Sequence, residues 1–153
     1  MNKIFLILFF AMMMFPLAAQ DNRFRRNQSA GKEIIYYQKN GQFDGRSQVH
    51  GSTTNYYDQR GAFDGRSIQH GSATYHYDKR GASNGRSVTH GNTTCHYDKR
   101  GVSAGRSVRS GNTTYHYDKR GVPAGRSVRS GSTIYFYDHK GRSKGRAACP
   151  RAR

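Results

Sequence analysis

Two residue types that could do chemistry recur in this chain at a step of 20. Arg46, Arg66, Arg86, Arg106, Arg126 and Arg146 each follow a glycine, and Tyr57, Tyr77, Tyr97, Tyr117 and Tyr137 each precede an aspartate. A guanidinium column pairs with phosphates, sulfates or uronates, and neighbouring tyrosine faces stack on sugars or bases. These residues are the candidate anion-binding stripe and its aromatic ladder. Histidine recurs at two further positions, His50, His70 and His90 at one and His76, His96 and His116 at the other. A column of imidazoles could hold a transition metal or charge up in mild acid. Ser110 and Ser130 replace the first set, and Tyr56 and Phe136 replace the second. Such swaps would ruin a ligand position but leave a strand position intact. The histidines therefore read as solvent-facing strand residues, and no metal or cofactor is expected. Ser, His and Asp also recur, but a catalytic triad needs one buried, oriented constellation. Asp58, Asp78, Asp98, Asp118 and Asp138 read as turn residues, so no catalytic residue is expected.

The elements that carry these residues follow from one repeat, Gly111 to Ser130. Thr113 to Tyr117 is a run of β-formers bounded by Gly111 and Asp118. Alternation puts Thr113, Tyr115 and Tyr117 on one face and Thr114, His116 and Asp118 on the other. Asp118 to Gly121 fits a turn. A weaker second strand is expected over Gly125 to Val128, where Gly125 marks a bulge or a close backbone approach. A period of this size signals an array of supersecondary units, each stacked on its neighbours. The fold class expected is all-β, with tandem 20-residue β-hairpin repeats stacked into an open sheet or short β-solenoid. In such a stack the tyrosines substitute for a missing aliphatic core, since no Leu follows Leu17. Threonines at 53, 93, 113 and 133 line the same face. The arginines lie at the surface. The drifted first unit, with Ile34, Ile35 and Gln38, and the last, with Ala147 and Ala148, read as caps on an open stack.

The segment GNTTYHYDKRG, with its relatives at 91–101 and 71–81, resembles the YD-repeat (RHS-type) family. The likeness covers roughly residues 51–141 and rests on Tyr75, Tyr77, Asp78 and Gly81 in one copy and Tyr115, Tyr117, Asp118 and Gly121 in another. It implies hairpins joined into a long β-sheet on extracellular or envelope-associated proteins linked to carbohydrate binding or toxin encapsulation. The chain departs from that pattern in the residues between the turn and Gly125-Arg126-Ser127. About six copies cannot enclose a cargo, so the encapsulation role does not carry over. The Tyr and Gly placement also resembles, more weakly, the aromatic cell-wall-binding repeats of secreted bacterial proteins, which rely on a Trp that this chain lacks.

The chain holds 26 Lys and Arg against 9 Asp and Glu, a net charge of +17 that resides in the repeats. That density attracts polyanions by counterion release. Lys3, the apolar run from Ile4 to Phe15 and the small residues Ala18 and Ala19 form a signal peptide pattern. The organisation expected is a signal peptide at 1–20, a flexible leader at 21–32, a six-unit β-repeat array at 33–148 and a basic tail at 149–153. Cys95 and Cys149 fall nearly three repeats apart, too far to bridge in a linear stack. The function expected is a non-enzymatic exported repeat protein that presents a binding surface to an anionic glycan or other polyanion. It is secreted, periplasmic or at the cell surface, and self-association through open sheet edges is possible in such a stack. An alternative is a secreted precursor cleaved at Lys79-Arg80, Lys99-Arg100 and Lys119-Arg120 into tandem short peptides.

Overall fold

A computed structural model describes residues 32–149. The signal peptide pattern at 1–20, nearly all of the leader and the tail beyond Cys149 lie outside the described residues. Each repeat contributes two antiparallel strands: β1 (Lys32–Gln38) with β2 (Phe43–His50), β3 (Thr53–Tyr57) with β4 (Phe63–His70), β5 (Ala73–Asp78) with β6 (Ser83–His90), β7 (Thr93–Tyr97) with β8 (Ser103–Ser110), β9 (Thr113–Tyr117) with β10 (Pro123–Ser130), and β11 (Thr133–Asp138) with β12 (Ser143–Ala148). The strand expected to be weak, at Gly125 to Val128, is the longer of its pair.

Every strand pairs with its neighbours in sequence, and β1 also pairs with β12, placing Tyr37 opposite Arg146. The open sheet or solenoid expected from the period is therefore corrected to a closed barrel. The reason lies in the register. Tyr77 stands opposite Arg66 on one side of β5, while Tyr75 stands opposite Arg86 on the other. The pairing thus steps by two residues per repeat, and the same step takes Tyr37 opposite Arg146 to Ile35 opposite Arg46 across the seam. A constant stagger tilts the strands and lets the sheet close on itself. With the edges joined, self-association through open edges loses its basis.

Two kinds of turn connect the strands. At one end Asp98 closes the hairpin: its carbonyl accepts the Gly101 N–H at 2.9 Å, and its Oδ1 accepts the N–H groups of Arg100 and Val102 at 2.8 and 2.9 Å. This side-chain mimic of a turn bond is why Asp leads the motif. In the first unit Gln38 replaces Asp, and Asn40 Oδ1 takes over by accepting the Gln42 N–H at 3.1 Å. At the other end, two-residue loops such as Gly91-Asn92 put glycine in positive φ at their first position, as type II′ hairpins require. Within each long strand a bulge falls next to a glycine. Gly85 has φ +118, and a Cβ there would lie 2.2 Å from the Tyr97 carbonyl oxygen. Only glycine allows that approach.

The buried apolar residues gather at the seam. Ile34 and Ala147 pack with Tyr36, Tyr56, Phe136 and Cys149. The drifted end units are thus two halves of one joint. Ile34 stands where four other copies carry Thr, Phe136 where the others carry His or Tyr, and Ala147 where they carry Ser.

Candidate functional site

The alternation read from the sequence holds, but the two faces are assigned the other way round. The tyrosines expected to form a core lie on the outer wall, and His76, His96 and His116, expected to face solvent, are buried. On the outer wall each arginine guanidinium sits over a tyrosine ring: Arg46 over Tyr57 at 5.1 Å, Arg66 over Tyr77 at 5.6 Å, Arg86 over Tyr97 at 5.2 Å, Arg106 over Tyr117 at 5.0 Å and Arg126 over Tyr137 at 5.4 Å. Closure adds a sixth pair, Arg146 over Tyr37 at 4.9 Å. Such contacts fall within cation–π range. Tyr37 escaped the sequence reading because Gln38 follows it instead of Asp, although its spacing of 20 from Tyr57 was legible.

Equal repeats joined head to tail put equivalent side chains at one level, so the arginines form a belt around the barrel and not a stripe along one face. Arg66, Arg86, Arg106, Arg126 and Arg146 are exposed, while Arg46 is half-buried and bonded to Glu33 at 2.9 Å. The tyrosines alternate with the arginines strand by strand, which separates each ring of the expected ladder from the next. His50, His70 and His90 lie exposed at the mouths of the two-residue hairpins, away from the other histidines.

Inside the wall runs a hydrogen-bonded arc at the matching level, interrupted at the seam by Phe136 and Ala147. Tyr56 donates to Ser67 Oγ at 3.0 Å. Ser67 Oγ meets His76 Nδ1 at 2.8 Å, and His76 Nε2 meets Ser87 Oγ at 2.9 Å. The pattern repeats through His96, with 2.9 Å to Ser87 and to Ser107, and through His116, with 2.9 Å to Ser107 and 3.2 Å to Ser127. Ser67, Ser87 and Ser107 each face one histidine across the strand pair, and Ser87, Ser107 and Ser127 each meet the preceding histidine diagonally. One direction of donation satisfies the whole run: each hydroxyl donates to Nδ1, and each Nε2–H donates onward. That direction requires neutral imidazoles. Burial does hold them neutral, lowering His76, His96 and His116 from 6.5 to about 4, with the neighbouring imidazoles adding to the effect at His96.

The girdle is a satisfied polar core, which explains how repeats without Leu fill a barrel. Among the described residues no cluster of three or more metal-ligating side chains forms. Both nitrogens of each buried imidazole are already engaged with serine. The serines are the functional partners that the sequence reading passed over. Their signal was the Gly-Arg-Ser triplet of the first five units, in which alternation puts Ser on the face opposite Arg.

Above the girdle, Thr89 and Thr94 hydroxyls bond at 3.0 Å. At the equivalent pair Arg109 faces Thr114, its Nε donates to the Gly111 carbonyl, and Thr114 Oγ1 is buried without a partner. Cys95 is on the outer wall, and Cys149 lies at the seam with its thiol 3.6 Å from the Glu33 carbonyl oxygen. No family model matches the chain, and no curated protein matches it.

Proposed function

We propose that this chain is a non-enzymatic, exported barrel whose outer belt binds an anionic partner at or outside the cell envelope. The observation that carries this reading is the set of six arginine–tyrosine pairs around the outer wall. Each tyrosine holds its arginine side chain out from the sheet, so the charge is presented at a set place and little rotamer entropy is left to lose on binding. A net charge of +17 supplies long-range attraction, and the belt supplies the contact. The same belt argues against a lipid-facing wall. An arginine at mid-membrane costs about 2–4 kcal/mol, and the strands are five to eight residues long against the nine to eleven of spanning strands.

The partner class is a flexible polyanion. Double-stranded DNA stays straight over about 150 base pairs, so it would meet one or two arginines of a convex belt. A flexible anionic glycan can follow the circumference. The envelope polysaccharide reading also agrees with the carbohydrate association that the YD-repeat likeness implies.

Binding should weaken steeply as salt rises, with log K falling linearly against log salt. Replacing Arg66, Arg86, Arg106 and Arg126 together with Gln should abolish most of it while leaving the barrel folded. Affinity that ignores salt would remove the electrostatic reading.

The precursor reading draws on Lys79-Arg80, Lys99-Arg100 and Lys119-Arg120 lying at exposed hairpin tips. A cut there would nick the barrel, since each resulting segment stays paired with both of its neighbours. The intact mass of secreted material separates the two: a single chain supports the barrel, and fragments of about one repeat support the precursor.

A further inference from the structure

The belt is not uniform. Each outward arginine lies between two strands, one carrying its cation–π tyrosine and the other a residue that varies. That second neighbour is Tyr75 for Arg86, Tyr115 for Arg126 and Tyr135 for Arg146. It is Asn55 for Arg66, Cys95 for Arg106 and Ile35 for Arg46. Tyr75, Tyr115 and Tyr135 are exposed at 38, 43 and 38 %, whereas the tyrosines beneath the arginines are half-buried. Three of the six arginines therefore pair across the backbone with two tyrosines, one engaged by the guanidinium and one more exposed, and the Tyr75 ring also meets His70 edge-on at 6.1 Å.

We propose that these Tyr-Arg-Tyr clefts are subsites for the charged sugars of a carboxylated polysaccharide. The assignment rests on the polyanion reading above. The guanidinium would receive the uronate carboxylate, and the open ring would take the apolar C–H face of the pyranose while its hydroxyl bonds the sugar edge. Equivalent clefts in adjacent repeats, Arg126 and Arg146, are two strands and a two-residue stagger apart, about 12 Å at 4.8 Å per strand and 3.4 Å per residue. That interval lets each cleft take one charged sugar in every few along a polyuronate, with the intervening carboxylates left to solvent. The clefts also fall unevenly around the belt. Arg126 and Arg146 adjoin, whereas Arg86 is separated from Arg126 by Arg106.

The test uses charge-matched pairs in the full chain. R86Q/R126Q removes two cleft arginines, and R66Q/R106Q removes two that lack the second ring. Both pairs lose two charges and two cation–π contacts, so their effects on the fold are matched, and a thermal melt of each checks this. Binding is measured to polygalacturonate, to inorganic polyphosphate and to single-stranded oligo-dT. R86Q/R126Q should weaken polygalacturonate binding about tenfold more than R66Q/R106Q does. Y75A/Y115A, at unchanged charge, should weaken it by a similar factor and leave polyphosphate binding unmoved. Equal loss in the two arginine pairs would overturn the clefts while leaving a diffuse electrostatic surface. Tighter binding of oligo-dT through the same clefts would overturn the sugar assignment in favour of base stacking. If none of the three polymers binds at low salt, the polyanion reading fails, and the clefts fail with it.

Discussion

Gly85 and Gly101 both adopt positive φ, at +118 and +82, yet substitution should affect them unequally. A Cβ on Gly101 meets open space, so Gly101→Ala should cost about 1 kcal/mol of backbone strain. Gly85→Ala adds a clash with the Tyr97 carbonyl oxygen that the paired backbone cannot relieve, and should cost roughly 2–4 kcal/mol. Urea midpoints for the two variants check the difference, and equal costs would refute the bulge geometry. Thr114 offers a change of the opposite sign. Arg109→Thr would rebuild the hydroxyl pair that Thr89 and Thr94 form, and should stabilise the barrel by about 1 kcal/mol. At this scale much was legible: the turn role of Asp, the bulge at Gly125 and the outward arginines follow from residue type and position alone. The buried serines were not, because a hydroxyl between Arg and Val carries no burial signal until its partner is known.

The strand pair sets the response to acid. In the fold His76, His96 and His116 protonate near pH 4, and in the unfolded chain near 6.5. The unfolded state therefore binds more protons between those values, and stability must fall as pH drops through that window. Above pH 6.5 the contribution is fully present. The gap is worth roughly 3 kcal/mol per imidazole, and three of them rival the whole stability of a typical domain. The turn carboxylate of Asp98 acts lower, since the Val102 N–H first of all holds it below its usual range. Urea midpoints recorded from pH 7.5 down to 4 should decline steadily, and a flat profile would show that the imidazoles are hydrated. His96→Phe, which copies Phe136 at the same ring position, should remove about a third of the slope. The alternation of faces was readable in the sequence, but which face was inside was not. Hydrophobicity assigns Tyr inward and His outward. That ranking fails where each buried imidazole finds a hydroxyl on either side and each tyrosine of the Tyr-Asp positions finds a cation above it.

For the whole molecule the decisive contact is the seam. The sequence reading took the end units for caps because period and composition describe one repeat and its neighbour, while closure depends on a two-residue stagger repeated six times. Removing residues 143–153 tests the difference. An open stack would lose only one unit's share of stability, and its edges would be no more exposed than before. The barrel should instead expose the free edges of β11 and β1, lose its cooperative melt and self-associate, as size-exclusion chromatography with circular dichroism would record. Joining 149 to 32 through a short linker and reopening the chain at Gly91-Asn92 should leave both the belt and the melt intact, since β1 and β12 are already neighbours. Closure also constrains how such a gene can change. An open array can gain or lose a unit by slippage between its near-identical copies, each new length being as good as the last. Here a seventh copy would alter the curvature at every hairpin and pull the inner hydroxyls away from the imidazoles. The ring counts its own repeats, and inheritance can edit their letters far more freely than their number.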